Sequence, residues 1–392
     1  MFFHISTYST KNYIIFIVFN YLKTNNKICL IYFTTLSGSM VLGMSIFSIA
    51  MITNAIFEIP TGIISDVIGR KKTLILGTIF SLIYSICFAI SNNYILLVVA
   101  AIFEGIERAF YSGNNEALLY DTLLEDGLEK EYKTYLGKTQ SMYQLAAIIA
   151  VILGGVLYYF TSIKFLMLLT IIPKIINMFV CFKIKDPKIL SNKISTNPFK
   201  NTKDLFRHIK KNSQLKKIII ADTIASCVGE SAYQFRPMFY KMVWPMWAIG
   251  IPSLLSNIGM FSSNWFAGKI IKKFGDKNVL VLGNLYSIFS NIIGFVLNSV
   301  ISPLILVSNS LFPTGVAKNS LLNEYYSNEL RASMASFSSL IVTISIAIVM
   351  ILVGAMADYI GVIKTLIVVC SFKIITVLIY NNVFKNKIKE IK

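Results

Sequence analysis

An all-α integral membrane fold is predicted by three features of this sequence: twelve transmembrane helices in two pseudo-symmetric six-helix bundles, with both termini cytoplasmic. Apolar residues make up 55% of the 392 and charged residues only 14%, whereas a soluble domain carries about 25% charge. The apolar residues fall in runs of about 20, the length an α-helix needs to cross hydrocarbon. Those runs come as six, then one long polar stretch, then six more, which suggests a duplicated unit.

The first run, 14–34, follows MFFHISTYSTKNYIIF, which has no basic segment leading to a small-residue cleavage site. It therefore reads as a retained helix and not a signal peptide. The second, 41–65, runs into the string FEIPTGIISDVIGRKKTL at 57–74, and the third, 73–91, begins after the cations Arg70, Lys71 and Lys72. A tight cytoplasmic hairpin is expected between them, because glycines permit close turns and consecutive cations resist translocation. The fourth, 94–117, carries Glu104, Glu107 and Arg108; the fifth is 139–159 and the sixth, 163–182, carries Lys174. The second half gives 218–240, 246–268, 279–298, 301–321, 335–358 and 362–384. The domains are then 1–182, a basic linker at 183–217, and 218–392.

That linker holds eleven Lys or Arg against two Asp. Within it Leu205, Phe206 and Ile209 would share one side of a helix with Arg207, Lys210 and Lys211 on the other, which suits either a helix on an anionic leaflet or a solvated linker. Placing both termini in the cytoplasm puts 27 of the 37 Lys and Arg in inner loops and tails and three, Lys164, Lys241 and Lys364, in outer loops. This is the positive-inside distribution. The net charge of +18 is thus spent on topology, and nucleic-acid binding is not expected.

The five cysteines, Cys29, Cys87, Cys181, Cys227 and Cys370, lie in apolar runs without metal-ligand spacing, and His4 and His208 are isolated. They read as packing residues, with no metal and no cofactor expected. No GxxxxGK[ST] loop occurs, so the chain does not hydrolyse nucleotide itself.

An internal echo accompanies the six-plus-six count. Gly268-x-x-x-Lys272-x-x-Gly275-Asp276-Lys277 repeats the spacing of Gly62-x-x-x-Asp66-x-x-Gly69-Arg70-Lys71 at the matching gap of the second half. Gly354-x-x-x-Asp358-x-x-Gly361 repeats it again, on the outer side by helix parity, so the glycine spacing alone is weakly specific.

In this order Gly62, Asp66, Gly69, Arg70 and Lys71 resemble the signature between the second and third helices of the major facilitator superfamily (MFS). They are preceded here by Glu58-Ile59-Pro60-Thr61. Ser112-Gly113-x-x-Glu116-Ala117-Leu118-Leu119-Tyr120-Asp121 is similar to the end of helix 4 in many bacterial members. The resemblance covers the whole chain and leans toward the drug-exporter-like branch. In the fifth run, however, only Gly154-Gly155 remains of the antiporter signature, with Ala150 and Val151 where Gly-Pro would stand. The resemblance implies a gate latch in which Asp66 faces the N-terminus of helix 11 near Ser333 to Ser336 and Arg70 pairs with Asp121. A carboxylate at a helix N-terminus is stabilised by about 0.3–1 kcal/mol. The alternative reading makes the cations topology determinants and Asp66 a turn cap.

Charges inside the runs should avoid lipid, since each costs on the order of 2.5–3.5 kcal/mol at mid-membrane. Glu104, Glu107 and Arg108 are expected on one face of the fourth helix, binding substrate or protons or forming a structural ion pair. Glu230 and Gln234 in the seventh helix, and Glu58 in the second, are further candidates for substrate or proton binding. Since the resemblance implies that helices 1, 4, 7 and 10 line the cavity, Lys23 joins them. Lys318 reads as an interfacial anchor, and Lys174 and Lys373 receive no role.

The resemblance implies a secondary transporter of the cytoplasmic membrane, working as a monomer in the bilayer by alternating access. Its expected activity is proton-coupled export of a drug or small amphipathic compound. The alternative is uptake of a nutrient such as a sugar, amino acid or organic ion, and the remote one a non-transporting sensor.

Overall fold

A computed structural model describes residues 15, 16, 18, 29–112, 114–128, 132–185, 212–325 and 331–391. Lys23 and the amphipathic stretch at 205–211 lie outside these residues, as does the side chain of Asp66. The chain divides into two compact units, Met1–Ile194 and Ser195–Lys392.

In the first unit α1 is Cys29–Ser37, α2 Met40–Ile68, α3 Arg70–Ile90, α4 Tyr94–Tyr111, α5 Asn114–Glu125, α6 Tyr132–Phe160, α7 Ile163–Leu169 and α8 Ile171–Lys183. In the second, α9 is Ser213–Val243, α10 Ile251–Trp265, α11 Ala267–Leu297, α12 Ser302–Val307, α13 Thr314–Tyr325, α14 Arg331–Ile360, α15 Val362–Ser371 and α16 Lys373–Ile391. Side-chain caps set several starts: Ser39, Asn93, Ser162 and Asn212 each accept from the backbone N–H three residues on. Such caps satisfy amides that a helix leaves without partners, which matters most where water is scarce.

At 57–74 the connection between the second and third expected spans is tighter than the run boundaries implied. Helix runs through Gly62 and Asp66 to Ile68 and restarts at Arg70, so Gly69 is the whole connection. Gly69 has φ 94° and ψ 158°, in a region of backbone space essentially closed to residues with a Cβ. Gly275, inside α11, repeats it with φ 77° and ψ 151°, and Gly361 with φ 83° and ψ 161°. The second glycine of each string is therefore a corner residue. The first is not: a Cβ on Gly62 or Gly268 would meet no described atom.

Among the described residues six helical stretches are long and apolar enough to span a membrane: Met40–Ser65, Arg70–Ile90, Ile163–Lys183, Ala267–Leu297, Phe337–Ile360 and Val362–Lys385. Several of the other expected spans fall outside that set for visible reasons. The fourth carries three charges in α4, the seventh carries Asp222, Glu230 and Arg236 in α9, and the tenth is broken by a 3-10 turn at Ser308–Leu311.

Each unit has its own core. Ile46, Ala50, Tyr84, Phe88, Leu97 and Ala100 pack α2, α3 and α4 together. Leu215, Ile218, Val279, Leu321, Tyr380 and Val383 do the same for α9, α11, α13 and α16. Large apolar side chains also cover the outside, including Ile95, Phe160, Trp265 and Tyr359, all more than 70% exposed. That surface suits hydrocarbon, where apolar side chains gain nothing by hiding.

Candidate functional site

Arg70, the first residue after the Gly69 corner, is turned inward and only 8% exposed. Its Nη1 donates to Ser65 Oγ at 2.8 Å, Ser65 Oγ donates to Asn114 Oδ1 at 2.7 Å, and Asn114 Nδ2 donates back to the Arg70 carbonyl at 3.1 Å. Arg70 Nε lies 3.5 Å from Asp121 Oδ2. A buried guanidinium is thereby held by a carboxylate and a hydroxyl on two different helices, which ties α5 to the α2–α3 corner. Lys71 Nζ reaches the Phe182 carbonyl at 3.0 Å, in the last turn of α8 where a cation is favoured. Of the expected latch residues, Arg70 and Asp121 are brought together. The side chains of Asp66, Ser333 and Ser336 lie outside the described residues. Ser65 and Asn114 were not foreseen, although Asn114 sits inside the Ser112–Asp121 string.

On α4, Arg108 Nη2 contacts Glu104 Oε1 at 2.9 Å, one turn apart, with side-chain exposures of 42% and 12%. Glu107 departs from the expectation that all three charges share a face. It is 4% exposed, accepts from Ser81 Oγ of α3 at 3.3 Å, and lies 4.0 Å from Lys174 Nζ of α8. The physical reason is angular. At 100° per residue Glu107 stands about 100° from Arg108, enough to turn it between α3 and α8. Lys174, without a role in the sequence reading, is 1% exposed and also lies over the Tyr84 ring at 5.7 Å. Glu58 is exposed on α2 and accepts from Ser112 Oγ at 3.1 Å.

In the second unit Gln234 Nε2 donates to Glu230 Oε1 at 2.9 Å, both half-buried on α9. Lys318 Nζ of α13 pairs with Asp222 Oδ1 of α9 at 2.9 Å. Lys318, read from the sequence as an interfacial anchor, is thus half of an ion pair. Lys373 Nζ donates to Ser287 Oγ at 3.0 Å and Arg236 Nη2 to Asn291 Oδ1 at 2.9 Å. Among the described residues no group of three His, Cys, Asp or Glu could hold a metal ion.

Known proteins of similar fold match nearly the whole chain. A nucleoside transporter, NupG, superposes with a TM-score of 0.81 over 97% of this chain and 100% of its own, at 14% identity. A D-xylose–proton symporter does so with a TM-score of 0.74 over 95% and 96%, at 12% identity. Identities that low concern the fold alone. An uncharacterised MFS-type transporter of Methanocaldococcus jannaschii is 33% identical over 122 residues, which is 31% of this chain and 29% of that protein's length. The family model of the Major Facilitator Superfamily matches residues 2–348. By that match the chain belongs to the Major Facilitator Superfamily, a multi-pass membrane transporter and not an enzyme.

Proposed function

We propose that this chain is a proton-coupled secondary transporter of the cytoplasmic membrane that moves a small molecule by alternating access. The observation that carries this reading is the Glu104–Arg108 pair, with Arg108 42% exposed in the last turn of the otherwise apolar α4 and Glu104 one turn further in. An ionisable pair in that setting is a transport site before it is a structural one, because a stabilising role alone would be served at lower cost by apolar packing. Glu104, Glu230 and Glu58 are the carboxylates able to take up a proton. Gln234 and Lys23 complete the proposed set for substrate. Gly69, Arg70, Lys71 and Asp121, with Asp66 and Gly62, form the proposed gate on the cytoplasmic side.

Export is the direction favoured by the drug-exporter-like resemblance. Uptake of a polar nutrient is the second reading, supported by the fold shared with a nucleoside transporter and a D-xylose–proton symporter. The test is proteoliposomes under an imposed pH gradient with a panel of labelled solutes. Gradient-driven movement of at least one solute is expected, lost in Glu104→Gln. Movement that stays gradient-driven after Glu104→Gln and Glu230→Gln together removes both carboxylates as proton carriers. The gate is tested by Arg70→Asp and Asp121→Arg, each expected to lose activity alone and to recover part of it together.

A further inference from the structure

The second unit contains a cavity of about 330 Å³ whose described lining includes Arg236, Ser287, Asn291, Asn309 and Lys373 and no Asp or Glu. Its two cations reach it from α9 and α16 and are bridged across α11. Arg236 Nη2 donates to Asn291 Oδ1 at 2.9 Å, Asn291 Nδ2 donates to the Ser287 carbonyl and Oγ at 2.5 and 3.3 Å, and Lys373 Nζ donates to the same Oγ at 3.0 Å. Every acceptor in that chain is neutral. No described carboxylate forms an ion pair with either cation, and Arg236 Nε is buried with no described hydrogen-bond partner.

The first unit shows what this arrangement lacks. Lys174 is the twelfth residue counted from Ile163 and Lys373 the twelfth counted from Val362, the first residues of α7 and α15. Ser81 and Ser287 each stand twelve positions after a corner glycine, Gly69 or Gly275. In the first unit Glu107 joins the equivalent serine and lysine. Its counterpart follows from a shared turn: Asn114 N donates to Ser112 O as Thr314 N donates to Phe312 O. Seven residues before Asn114 is Glu107, and seven before Thr314 is Val307. The acid is absent where the second unit has a second cation and a space.

We infer that this cavity binds the anionic group, carboxylate or phosphate, of a small molecule. Two cations among neutral acceptors in a low-dielectric setting leave a positive potential that a negatively charged guest relieves. The guanidinium offers planar paired donors and the ammonium a point charge, the combination that holds oxyanions. A volume of about 330 Å³ lies in the range of small-ligand pockets. Naming that guest the transported substrate rests on the transporter reading; anion binding does not.

The experiment measures binding of inorganic phosphate and of benzoate to the full chain in phosphatidylcholine nanodiscs, by titration calorimetry and by the rise in melting temperature that a bound ligand causes. Choline at equal ionic strength is the control. Saturable binding of at least one anion and none of choline is expected, weakened about tenfold or more in Lys373→Gln and in Arg236→Gln. Arg236→Lys should recover part of the loss, and Lys164→Gln, at an exposed site of the first unit, should leave binding unchanged. Phosphatidylglycerol discs divide the sources: competition with phosphate makes a lipid headgroup the natural guest, and its absence makes it a soluble anion. Binding of neither anion, or wild-type affinity in both glutamine variants, overturns the site. Anion binding without movement of any solute under a gradient defeats the transporter reading and leaves the site standing. Gradient-driven movement of an uncharged solute that is unaffected by Lys373→Gln, with no anion bound, does the reverse.

Discussion

Lys174 and Lys373 occupy matching places in the two halves, yet one is neutralised and the other is not. In the first half the lysine is sealed at 1% exposure against Glu107 and the Tyr84 ring. In the second, Lys373 is half-buried at the edge of a cavity, bonded to a serine hydroxyl and close to Arg236's own amide partner. A charge with its counter-ion built in is a structural fixture; the same charge left open is a binding element. The duplicated scaffold thus keeps a lysine in both halves while assigning it two tasks, and the assignment turns on one position, Glu107 against Val307.

The largest test of this contrast is stability. Glu107→Leu alone should remove the carboxylate beside the buried Lys174 ammonium and cost about 3–5 kcal/mol, while Glu107→Leu with Lys174→Met should come back close to wild type. Thermal unfolding of the detergent-solubilised protein reads both, and a double variant no better than the single would mean that the pair is not the relevant unit. Corner glycines should behave alike in the two halves. Gly69→Ala and Gly275→Ala should each cost about 1–3 kcal/mol, whereas Gly62→Ala, in a helix with open space around it, should be neutral or slightly stabilising. A loss at Gly62 as large as that at Gly69 would show that the first glycine serves a close contact instead.

Smaller again is the Asp222–Lys318 pair, with side-chain exposures of 11% and 26%. Lys318→Met should cost about 1–2 kcal/mol, between the values for exposed and buried charged hydrogen bonds. The smallest effect is expected at Lys373→Met, within about 1 kcal/mol of wild type, since no counter-ion is stranded. A drop there matching that at Lys174 would erase the distinction between the halves.

Much of the helical layout was legible from run lengths and charge placement, and the Glu104–Arg108 pair from its one-turn spacing. What was not legible depended on which faces of distant helices meet. Glu107 and Lys174 are separated by three intervening helices, α5 to α7, so periodicity gave each a direction without naming the neighbour there. The string at 57–74 was legible in part. Its glycines and cations marked a tight turn without naming the residue that makes it: Asp, Arg and Lys are acceptable in helix termini, and only Gly69 has a backbone conformation that a helix forbids. Ser65 and Asn114 gave no signal as isolated polar residues and gained meaning only once Arg70 lay between them.

The corners at Gly69, Gly275 and Gly361 have a consequence for how the chain can be made and altered. A connection one residue long spans about 3.8 Å, leaving no slack between the helices it joins. Each such pair must therefore settle into the bilayer as one hairpin, and neither member can wait for the other during synthesis. The same tightness fixes register: a residue inserted beside Gly69 would move Arg70 out of reach of Asp121. Reporter tags and natural insertions should accordingly be tolerated at the wider turns and rejected at these three.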